Sequence, residues 1–472
     1  MNSEVKNIAV IGAGPGGYAA AFYAADMGLN VTLIDLEKNP GGVCLFRGCI
    51  PSKALLHVAK LINESQEAVH WGIEFGKPVI HLDKLRNWKN SVVSKLTGGL
   101  GVLSKQRKIN FVQGRAKFVN SNTLSISKSD GTEETKSFDR IIVAIGSVIA
   151  TIPAFEIGSK RILNSTSALD LPEIPGSLLV VGGGYIGLEL GSVYQALGSK
   201  VSVVEMTPGL LPGADRDLVQ HLSKMIEKKF EKIMLNSKVL SMKEENDKIV
   251  VKIQESSGNV VDLTYDYVLV SVGRKPVTQG LGLENTKVTV NGRGFIEVNK
   301  QLQTADQSVY AIGDIVGDPM LAHKASHEAR VAIEVIMGHK AAFEPYAIPA
   351  VVFTDPEIAW AGLTENQAKE LGVKFEVARF PWAASGRATT LDRFDGVTKL
   401  IVNPDNERIL GIGICGPGAG ELIAEGALAI EMGATASDLK LTIHPHPTLS
   451  ETVMEAAEVF FGQSTHMYRP RK

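Results

Sequence analysis

The stretch Ile8-Ala-Val-Ile-Gly12-Ala-Gly14-Pro-Gly-Gly17 decides how the first part of this 472-residue chain folds. It has the pattern of a buried strand, a glycine turn and the start of a helix, and a second apolar run ends at Asp35. In a βαβ unit that binds a dinucleotide, the first glycine permits the tight turn, the second lets the backbone approach a pyrophosphate, and the third lets the helix pack on the strand. An acid at position 35 can accept hydrogen bonds from a ribose diol. The stretch therefore predicts a nucleotide-binding unit.

The same unit occurs a second time, as Leu178-Leu-Val-Val-Gly-Gly-Gly-Tyr-Ile-Gly187. Its key positions each follow their counterparts in the first copy by 170 residues: Gly182, Gly184, Gly187 and Glu205. Two chance matches would not share both the glycine spacing and the acid, so we predict a duplicated βαβ unit. Glu205 favours NAD over NADP, because a carboxylate there binds a ribose 2′-hydroxyl and repels a 2′-phosphate. Between the copies, residues 55–105 have a helical, polar-faced pattern.

A pair of cysteines, Cys44 and Cys49, follows the first unit in the stretch Gly-Gly-Val-Cys-Leu-Phe-Arg-Gly-Cys-Ile-Pro-Ser-Lys (41–53). An ideal helix would hold the Cα atoms of residues i and i+5 about 8 to 9 Å apart, whereas a disulfide tolerates less than about 7 Å. The backbone must therefore be distorted to join the two sulfurs, and the three glycines of this stretch supply that freedom. Because a strained disulfide is easily reduced, we predict a redox-active pair.

Two further positions are candidates for acid–base or electrostatic roles. Lys53 follows Cys49 by about one helical turn, where a cation would lower the pKa of the thiol, but an exposed helical lysine would give the same spacing. His446 lies between two prolines in His444-Pro-His446-Pro, and Glu451 is placed to bond a ring nitrogen and raise its basicity. The residues alone leave catalytic and structural interpretations open for His446, and the role of His444 stays open as well.

Composition and charge exclude several classes of protein. Lys plus Arg (49) nearly balances Asp plus Glu (51), so nothing argues for nucleic acid or for a charged membrane surface. The longest apolar stretches fall short of the about 20 residues that a membrane span needs. Three cysteines fit a reducing compartment with one functional pair, and the start of the chain leaves no room for a signal peptide. We therefore expect a cytoplasmic protein, with residues 469–472 as a solvated basic tail.

The motifs follow one another in a specific order: the first glycine unit, Cys-x4-Cys with Ile-Pro-Ser-Lys, the second glycine unit, Ile312-Gly-Asp-Ile-Val316, and His-x-His-Pro-Thr-x-x-x-Glu. In this combination the chain closely resembles the pyridine nucleotide–disulfide oxidoreductases over nearly its full length. The resemblance implies an α/β fold with two Rossmann-like dinucleotide-binding domains, for FAD and NAD, plus a C-terminal α+β dimerisation domain. The predicted domains are an FAD domain (1–150), an NAD domain (151–275), a central segment completing the FAD domain (276–348) and a dimerisation or interface domain (349–472).

The resemblance also implies which residues hold the two cofactors, with no metal expected. The residues implied for FAD are Gly12, Gly14, Gly17, Asp35, Lys53, Ala116, Gly146, Ser147, Asp314 and Ala322. The residues implied for the NAD side are Gly182, Gly184, Tyr185, Gly187, Glu189, Glu205 and Gly273. Among them, Tyr185 resembles the aromatic gate over the flavin, and Glu189 resembles the ion-pair partner of Lys53.

The activity implied by the resemblance is a disulfide oxidoreduction in a homodimer. His446 and Glu451 of one subunit would serve the Cys44–Cys49 disulfide of the other. A dihydrolipoyl group, carried by a lipoyl-bearing acyltransferase or a glycine-cleavage carrier protein, would reduce that disulfide, and the electrons would pass through FAD to NAD⁺.

Other functions fit the sequence less well. A glutathione-reductase-like enzyme favours NADPH, which Glu205 opposes, and a mercuric-reductase-like enzyme carries a C-terminal cysteine pair that we do not find in this sequence. A flavoprotein that acts only as a scaffold or signal has no need of the two cysteines, His446 and Glu451 together.

Overall fold

The computed structural model describes residues 5–468, so the basic segment 469–472 lies outside the described residues. The strands of the described part are β1 (Asn7–Ile11), β2 (Asn30–Asp35), β3 (Asn110–Asn120), β4 (Thr123–Lys128), β5 (Glu133–Ser137), β6 (Arg140–Val143), β7 (Ser147–Ile149), β8 (Ile162–Leu163), β9 (Ser177–Val181), β10 (Lys200–Val204), β11 (Lys232–Met234), β12 (Lys238–Glu245), β13 (Lys248–Gln254), β14 (Val260–Tyr265), β15 (Tyr267–Val270), β16 (Arg274–Pro276), β17 (Val309–Ala311), β18 (Ala350–Val352), β19 (Ile358–Gly362), β20 (Glu376–Pro381), β21 (Val397–Val402) and β22 (Ile409–Cys415). Its α-helices are α1 (Pro15–Asp26), α2 (Gly42–Arg47), α3 (Cys49–Glu67), α4 (Leu82–Gln106), α5 (Ser165–Leu169), α6 (Tyr185–Leu197), α7 (Arg216–Lys229), α8 (Ala322–Ile336), α9 (Glu365–Glu370), α10 (Gly386–Thr390), α11 (Ala419–Met432), α12 (Ala436–Leu441) and α13 (Glu451–Phe460).

A seven-stranded sheet carries the first glycine unit. Its strand order is β17-β6-β1-β2-β3-β4-β5, parallel from β17 to β3 and antiparallel from β3 to β5. Side chains alternate across β1, so Ile8 and Val10 pack against α1 and α8 while Ala9 and Ile11 pack against the meander of β3 and β4. Strand β17, which lies in the predicted central segment, returns to the edge of this sheet. The first glycine loop lies at the carboxyl end of β1, where open α/β sheets bind ligands.

Helices α1 and α8 pack closely against each other beside that loop. Small side chains make the approach possible: Ala20, Ala21 and Ala24 of α1 are fully buried, and a Cβ on Gly16 would lie 3.1 Å from the Cβ of Ala325. The start of α8, far along the chain, is therefore held next to the first glycine loop.

The second glycine unit forms its own parallel sheet, in the order β11-β10-β9-β15-β8. An antiparallel three-stranded sheet, β12-β13-β14, packs against it through apolar side chains. The final unit is an antiparallel sheet in the order β18-β19-β22-β21-β20, with α11 and α13 packed on it. The predicted fold class, two α/β dinucleotide units and a C-terminal α+β unit, is confirmed.

The predicted helical region 55–105 is interrupted, which corrects the sequence-based expectation. Helix α3 passes into a short 3₁₀ helix (Ala68–Trp71), and the chain leaves it at Gly72 with φ +80°, a left-handed conformation that stops a helix. Residues 72–81 then form a connection before α4. Among residues 5–468, no helix is both long and apolar enough to cross a membrane.

A buried cluster of charges joins the second and third units. Lys399 on β21 is 1% exposed, and its ammonium lies 2.7 Å from Asp215, 2.8 Å from Asp217 and 2.7 Å from Glu365. The three carboxylates are close enough to hold a metal ion, but the Lys399 ammonium lies among them and Arg379 pairs with two of them. Two cations thus offset most of the charge of the three carboxylates, and the cluster connects α7 to the C-terminal sheet.

Candidate active site

One cavity of about 610 Å³ runs from the first glycine loop to the cysteine pair. Most of the residues predicted for the flavin side line it: Gly12, Gly14, Asp35, Cys44, Cys49, Lys53, Ala116, Gly146, Ser147, Asp314 and Ala322. Tyr185 and Glu189, from the second glycine unit, line it as well. Cavities of this volume hold cofactors and other small molecules in enzymes. A second cavity, of about 220 Å³ and lined by Asn7, Lys108 and Lys136 among others, contains none of the predicted residues.

The first glycine loop is shaped by close backbone contacts. Gly12 has φ +94°, and a Cβ there would lie 2.5 Å from the carbonyl oxygen of Ala144. Gly17 does not line the cavity, because it packs α1 so tightly on the loop that a Cβ would lie 1.8 Å from the Gly12 oxygen. A Cβ on Gly14 would meet no atom closer than 3.9 Å, so its backbone faces the open cavity. The loop thus presents bare backbone to the cavity at the N-terminus of α1, as an anion site requires.

The acid that ends the second strand braces this loop. Asp35 accepts hydrogen bonds from the backbone N–H of Ala13 at 2.6 Å and of Glu37 at 2.8 Å. Its carboxylate is therefore fixed at the cavity wall. The geometry allows a ribose hydroxyl to donate to the same carboxylate.

The cysteine pair lies where two helices meet end to end. Helix α2 ends at Arg47, Gly48 turns the chain, and Cys49 begins α3. A Cβ on Gly48 would lie 3.0 Å from the Val43 oxygen and 3.3 Å from the Cα of Cys44, so only glycine lets the chain fold back this tightly. The expected distortion between the cysteines is thus a break between two helices. The structure has both cysteines in the thiol form.

The two thiols have opposite acidities. The hydrogen bond that the Cys44 thiol donates lowers the pKa of Cys49 to about 7, and the Lys53 charge assists. The same hydrogen bond, together with burial, raises the pKa of Cys44 above its ordinary value. Cys49 also begins a 19-residue helix, whose N-terminus stabilises a thiolate. Cys49 is therefore the sulfur that carries the negative charge.

Lys53 pairs with Glu189 across the two glycine units. The Lys53 ammonium lies 2.7 Å from Glu189 Oε2, and the glutamate side chain is 4% exposed. Phe353, which follows β18 in the C-terminal unit, contacts both partners: its backbone N–H donates to Glu189 Oε1 at 3.0 Å, and the Lys53 ammonium lies 4.5 Å from the centre of its ring. The pair is thus held by three units of the fold.

A polar network also links the first unit to the return strand. Ser147 donates to Asp314 Oδ2 at 2.5 Å, and the Arg274 guanidinium donates to the Ser147 hydroxyl and carbonyl, both at 2.7 Å. Gly273, just before Arg274, has φ +116° and accepts a hydrogen bond from the Ala150 N–H. These contacts fix the Asp314 carboxylate on the cavity wall.

The second glycine loop repeats the geometry of the first. Glu205 accepts from the Gly183 N–H at 2.6 Å and from the Thr207 N–H at 2.8 Å, each 170 residues after the corresponding donor to Asp35. Gly182 and Gly187 again approach each other, with a Cβ on Gly187 placed 2.3 Å from the Gly182 oxygen. A Cβ on Gly184 would meet no atom within 4 Å. Gly182, Gly184, Gly187 and Glu205 do not line the large cavity.

Tyr185 connects the second loop to the cavity. It follows Gly184 directly at the start of α6, lines the cavity, and is 41% exposed. Burial of its hydroxyl raises the pKa of Tyr185 to about 12, so the phenol is neutral at physiological pH. A ligand held by the second loop would therefore meet the cavity at this ring.

His446 and Glu451 form a pair on the surface, outside the cavity. His446 Nδ1 lies 2.9 Å from Glu451 Oε1, and the imidazole is 72% exposed. Partial burial raises the pKa of Glu451, but the Thr448 N–H and His446 outweigh it and hold the pKa below its ordinary value. His444 has both ring nitrogens engaged, Nε2 by Glu425 and Nδ1 by the Thr442 carbonyl.

The C-terminal unit that carries His446 also exposes large apolar side chains. Tyr346, Leu428, Met432, Leu441 and Ile443 are each more than 60% exposed. Apolar side chains that form a contiguous exposed surface mark an interaction site.

Sequence reasoning missed several residues of the site. The sequence patterns do not single out Phe353, nor Glu37 and Arg47, which pair at the cavity wall. No local pattern marks these residues, because each contact depends on the tertiary fold. The tight spacing of Asp-x-Glu after β2 was the only available signal for Glu37.

Profiles of two protein families match the chain. The profile described as "Pyridine nucleotide-disulphide oxidoreductase" matches residues 6–329, and that described as "Pyridine nucleotide-disulphide oxidoreductase, dimerisation domain" matches residues 348–457. The second match covers the C-terminal antiparallel sheet and the His446–Glu451 pair.

Individual relatives match over nearly the whole chain. The chain is 49% identical over 468 residues to a dihydrolipoyl dehydrogenase of Vibrio cholerae, covering 99% of this chain and 98% of that protein. It is 45% identical to a dihydrolipoyl dehydrogenase of Geobacillus stearothermophilus, covering 97% of each. Among solved structures, LpdA from Mycobacterium tuberculosis has a TM-score of 0.89 at 26% identity, covering 96% of this chain and 99% of that one. The HOCl-induced flavoprotein disulfide reductase RclA from Escherichia coli has a TM-score of 0.84 at 28% identity, covering 95% and 98%.

Proposed function

The chain belongs to the pyridine nucleotide–disulphide oxidoreductase family, and from this premise we propose that it acts as a dihydrolipoyl dehydrogenase that uses FAD and NAD. It oxidises a dihydrolipoyl dithiol and reduces NAD⁺ to NADH. One observation carries the proposal. Cys44 and Cys49 line the same cavity of about 610 Å³ as the first glycine loop, and Tyr185, which follows the second glycine loop, lines it as well.

The cavity residues fit FAD by their chemistry. The bare backbone of Gly14 at the start of α1 suits the pyrophosphate, and Asp35 suits the adenosine ribose. Asp314 and Ser147 are placed for the ribityl chain, Ala116 lines the cavity wall, and Ala322 begins α8 beside it. When bound, FAD supplies the two-electron carrier between the thiol pair and NAD⁺.

The cysteines exchange the disulfide with the substrate. In the oxidised enzyme, the substrate thiolate attacks the sulfur of Cys44, the Cys44–Cys49 bond breaks, and Cys49 leaves as a thiolate. A pKa of about 7 makes Cys49 the better leaving group of the two. The second substrate thiolate then attacks the mixed disulfide, which releases Cys44 and the oxidised substrate. The two electrons left on the pair are those that reach NAD⁺.

His446 supplies the base for this exchange. Its Nε2 is free to take the substrate thiol proton, because Glu451 engages Nδ1 and fixes the tautomer. His446 is exposed and does not line the cavity of its own chain. In our proposal the C-terminal unit, with its exposed apolar side chains, packs on a second copy, so that each active site combines the cysteines of one subunit with the His446 of the other.

NAD lies on the second glycine loop. Gly182, Gly184 and Gly187 shape a second pyrophosphate site, and Glu205 accepts the ribose hydroxyl and disfavours a 2′-phosphate. Glu189, which lines the cavity, and Gly273, just before Arg274, would contact the NAD side, and Lys53, paired with Glu189, would stabilise negative charge at the flavin end.

The physiological substrate is the dihydrolipoyl group of a partner protein. A lipoyl-bearing acyltransferase of a 2-oxoacid dehydrogenase complex, or a glycine-cleavage carrier, would present it. The small number of cysteines supports a reducing, cytoplasmic setting for that partnership.

Steady-state kinetics test the proposal directly. FAD-loaded protein should reduce NAD⁺ with dihydrolipoamide and should show little reduction of glutathione disulfide with NADPH. Cys44→Ser should abolish the first activity, whereas Cys415→Ala, a change at a buried thiol away from the cavity, should retain it. FAD-loaded protein without dihydrolipoamide-dependent NAD⁺ reduction would contradict the assignment.

A further inference from the structure

The turn that carries Asp314 is a short, glycine-containing piece of backbone at the cavity wall. A 3₁₀ helix (Gly313–Ile315) forms its centre, and glycines lie at both ends, Gly313 with φ +82° and Gly317 with φ +143°. Gly313 and Asp314 both line the cavity. Because glycine loses more conformational freedom on ordering than any other residue, this turn needs contacts from elsewhere to hold Asp314 in place.

Two charged residues of α8 supply those contacts. The Lys324 ammonium lies 2.8 Å from Glu328 Oε1, one helical turn away, and the side chains are only 5% and 2% exposed. Glu328 Oε2 accepts a hydrogen bond from the Gly313 N–H at 2.7 Å, and Lys324 donates to the Gly317 carbonyl at 3.2 Å. The ion pair thus contacts both ends of the turn.

Burying the Lys324–Glu328 ion pair costs free energy. Burying two charges costs several kcal/mol per ion before their mutual attraction, and apolar residues of similar size often give equal or greater stability. Burial raises the pKa of Glu328, against the opposing influence of Lys324 and of the Gly313 N–H. Stability alone therefore does not explain the pair, whereas its two backbone contacts do.

We propose that Lys324 and Glu328 are positioning residues of the flavin site, which hold the 313–317 turn so that the Asp314 carboxylate faces the ribityl chain. The inference rests on the proposed function, since it assumes that FAD occupies this cavity. Glu328 is not among the residues that line the cavity. It acts through the Gly313 backbone.

Two double variants separate the hydrogen bond from the buried charge. Lys324→Met/Glu328→Gln and Lys324→Met/Glu328→Ala both lack the ion pair, but only the first keeps an acceptor for the Gly313 N–H. The Kd for FAD is measured by flavin fluorescence on apoprotein refilled with FAD. We expect the Gln variant to lie within about threefold of wild type and the Ala variant to bind FAD about tenfold more weakly, because the buried Gly313 N–H then has no acceptor and the turn that carries Asp314 is held less firmly.

Two controls test whether the effect reaches FAD through Asp314. Glu334→Gln changes a partly exposed residue on the same helix, which contacts Tyr23 and His339, and should leave the Kd unchanged. In an Asp314→Ala background, the difference between the two double variants should shrink to less than about threefold, because coupled residues are not additive. Equal Kd values for the two double variants, or an equal loss in Glu334→Gln, would overturn the inference. Wild-type protein that fails to bind FAD would instead overturn the proposed function.

Discussion

Mixing two inactive variants tests whether each active site is shared between subunits. Cys44→Ser removes the attacked sulfur, and His446→Gln removes the base, which should lower turnover by about 10²–10⁴-fold. The two defects lie far apart within one chain, because His446 is 72% exposed and does not line the cavity that holds Cys44. In a two-fold dimer with shared sites, a hybrid of the two variants contains one site with both changes and one site with neither.

The expected recovery follows from this arrangement. If the subunits associate at random, about half of the dimers are hybrids and each has one intact site of two, so co-expressed variants should show about one quarter of wild-type specific activity. The assay is dihydrolipoamide-dependent NAD⁺ reduction on differently tagged, doubly purified hybrids and on the unseparated mixture. If each site instead used its own His446, every site in the hybrid would carry one defect, and no activity above that of the parent variants would appear.

A second mixture provides the matched control. In a hybrid of Cys44→Ser and Cys49→Ser, the cavity of each subunit lacks one cysteine of its own pair, so no combination of subunits restores a site. That hybrid should remain inactive. Activity in this control, or its absence in the first hybrid, would refute the shared arrangement.

Three further predictions concern charges elsewhere in the molecule. In reduced FAD-loaded protein, the long-wavelength absorbance of the thiolate–flavin pair should have a midpoint near pH 7 and should be lost as the pH falls through it. Cys44→Ala should move this midpoint to higher pH, because the hydrogen bond from Cys44 lowers the pKa of Cys49. A midpoint that does not move would contradict this cause. Glu205→Gln keeps an acceptor for the Gly183 N–H but removes the charge, so the preference for NAD⁺ over NADP⁺ in kcat/KM should fall by about tenfold, and an unchanged ratio would exclude charge repulsion as its source. Lys399→Met leaves Asp215 without its ion-pair partner and only Arg379 beside Asp217 and Glu365, and it should lower the free energy of unfolding by about 3–5 kcal/mol in urea titrations, with Lys399→Arg expected to lose less; equal stability of wild type and Lys399→Met would show that the Lys399 charge contributes nothing.

The two dinucleotide units were predictable because their determinants are local. Gly12 and Asp35 lie within one βαβ unit, and the physical requirements of a tight turn and a fixed acid restrict which residues can stand there. The offset of 170 residues recurs in the hydrogen bonds themselves, from Ala13 and Gly183 to their acids. A pattern that repeats in sequence and is satisfied by neighbouring backbone can be recognised without a structure.

The supports of the site were not predictable, because they depend on long-range packing. Glu328 meets Gly313 only because α8 packs on α1, and Phe353 meets Glu189, 164 residues earlier, only once the C-terminal sheet docks. A buried glutamate on an amphipathic helix and a phenylalanine after a strand are ordinary in sequence. The position of His446 outside its own cavity likewise follows from the fold and from nothing in its local motif.

The contact of Phe353 with the Lys53–Glu189 pair has a consequence for protein engineering. Although the dimerisation region matches a family profile of its own, we expect that it cannot be exchanged as an independent module, since the residue that follows its first strand contacts the charged pair beside the cavity. A chimera with the C-terminal region of a relative would need an aromatic residue and an unhindered backbone N–H at position 353. Without them, we expect such a chimera to fold and dimerise but to transfer electrons slowly from the cysteine pair to NAD⁺.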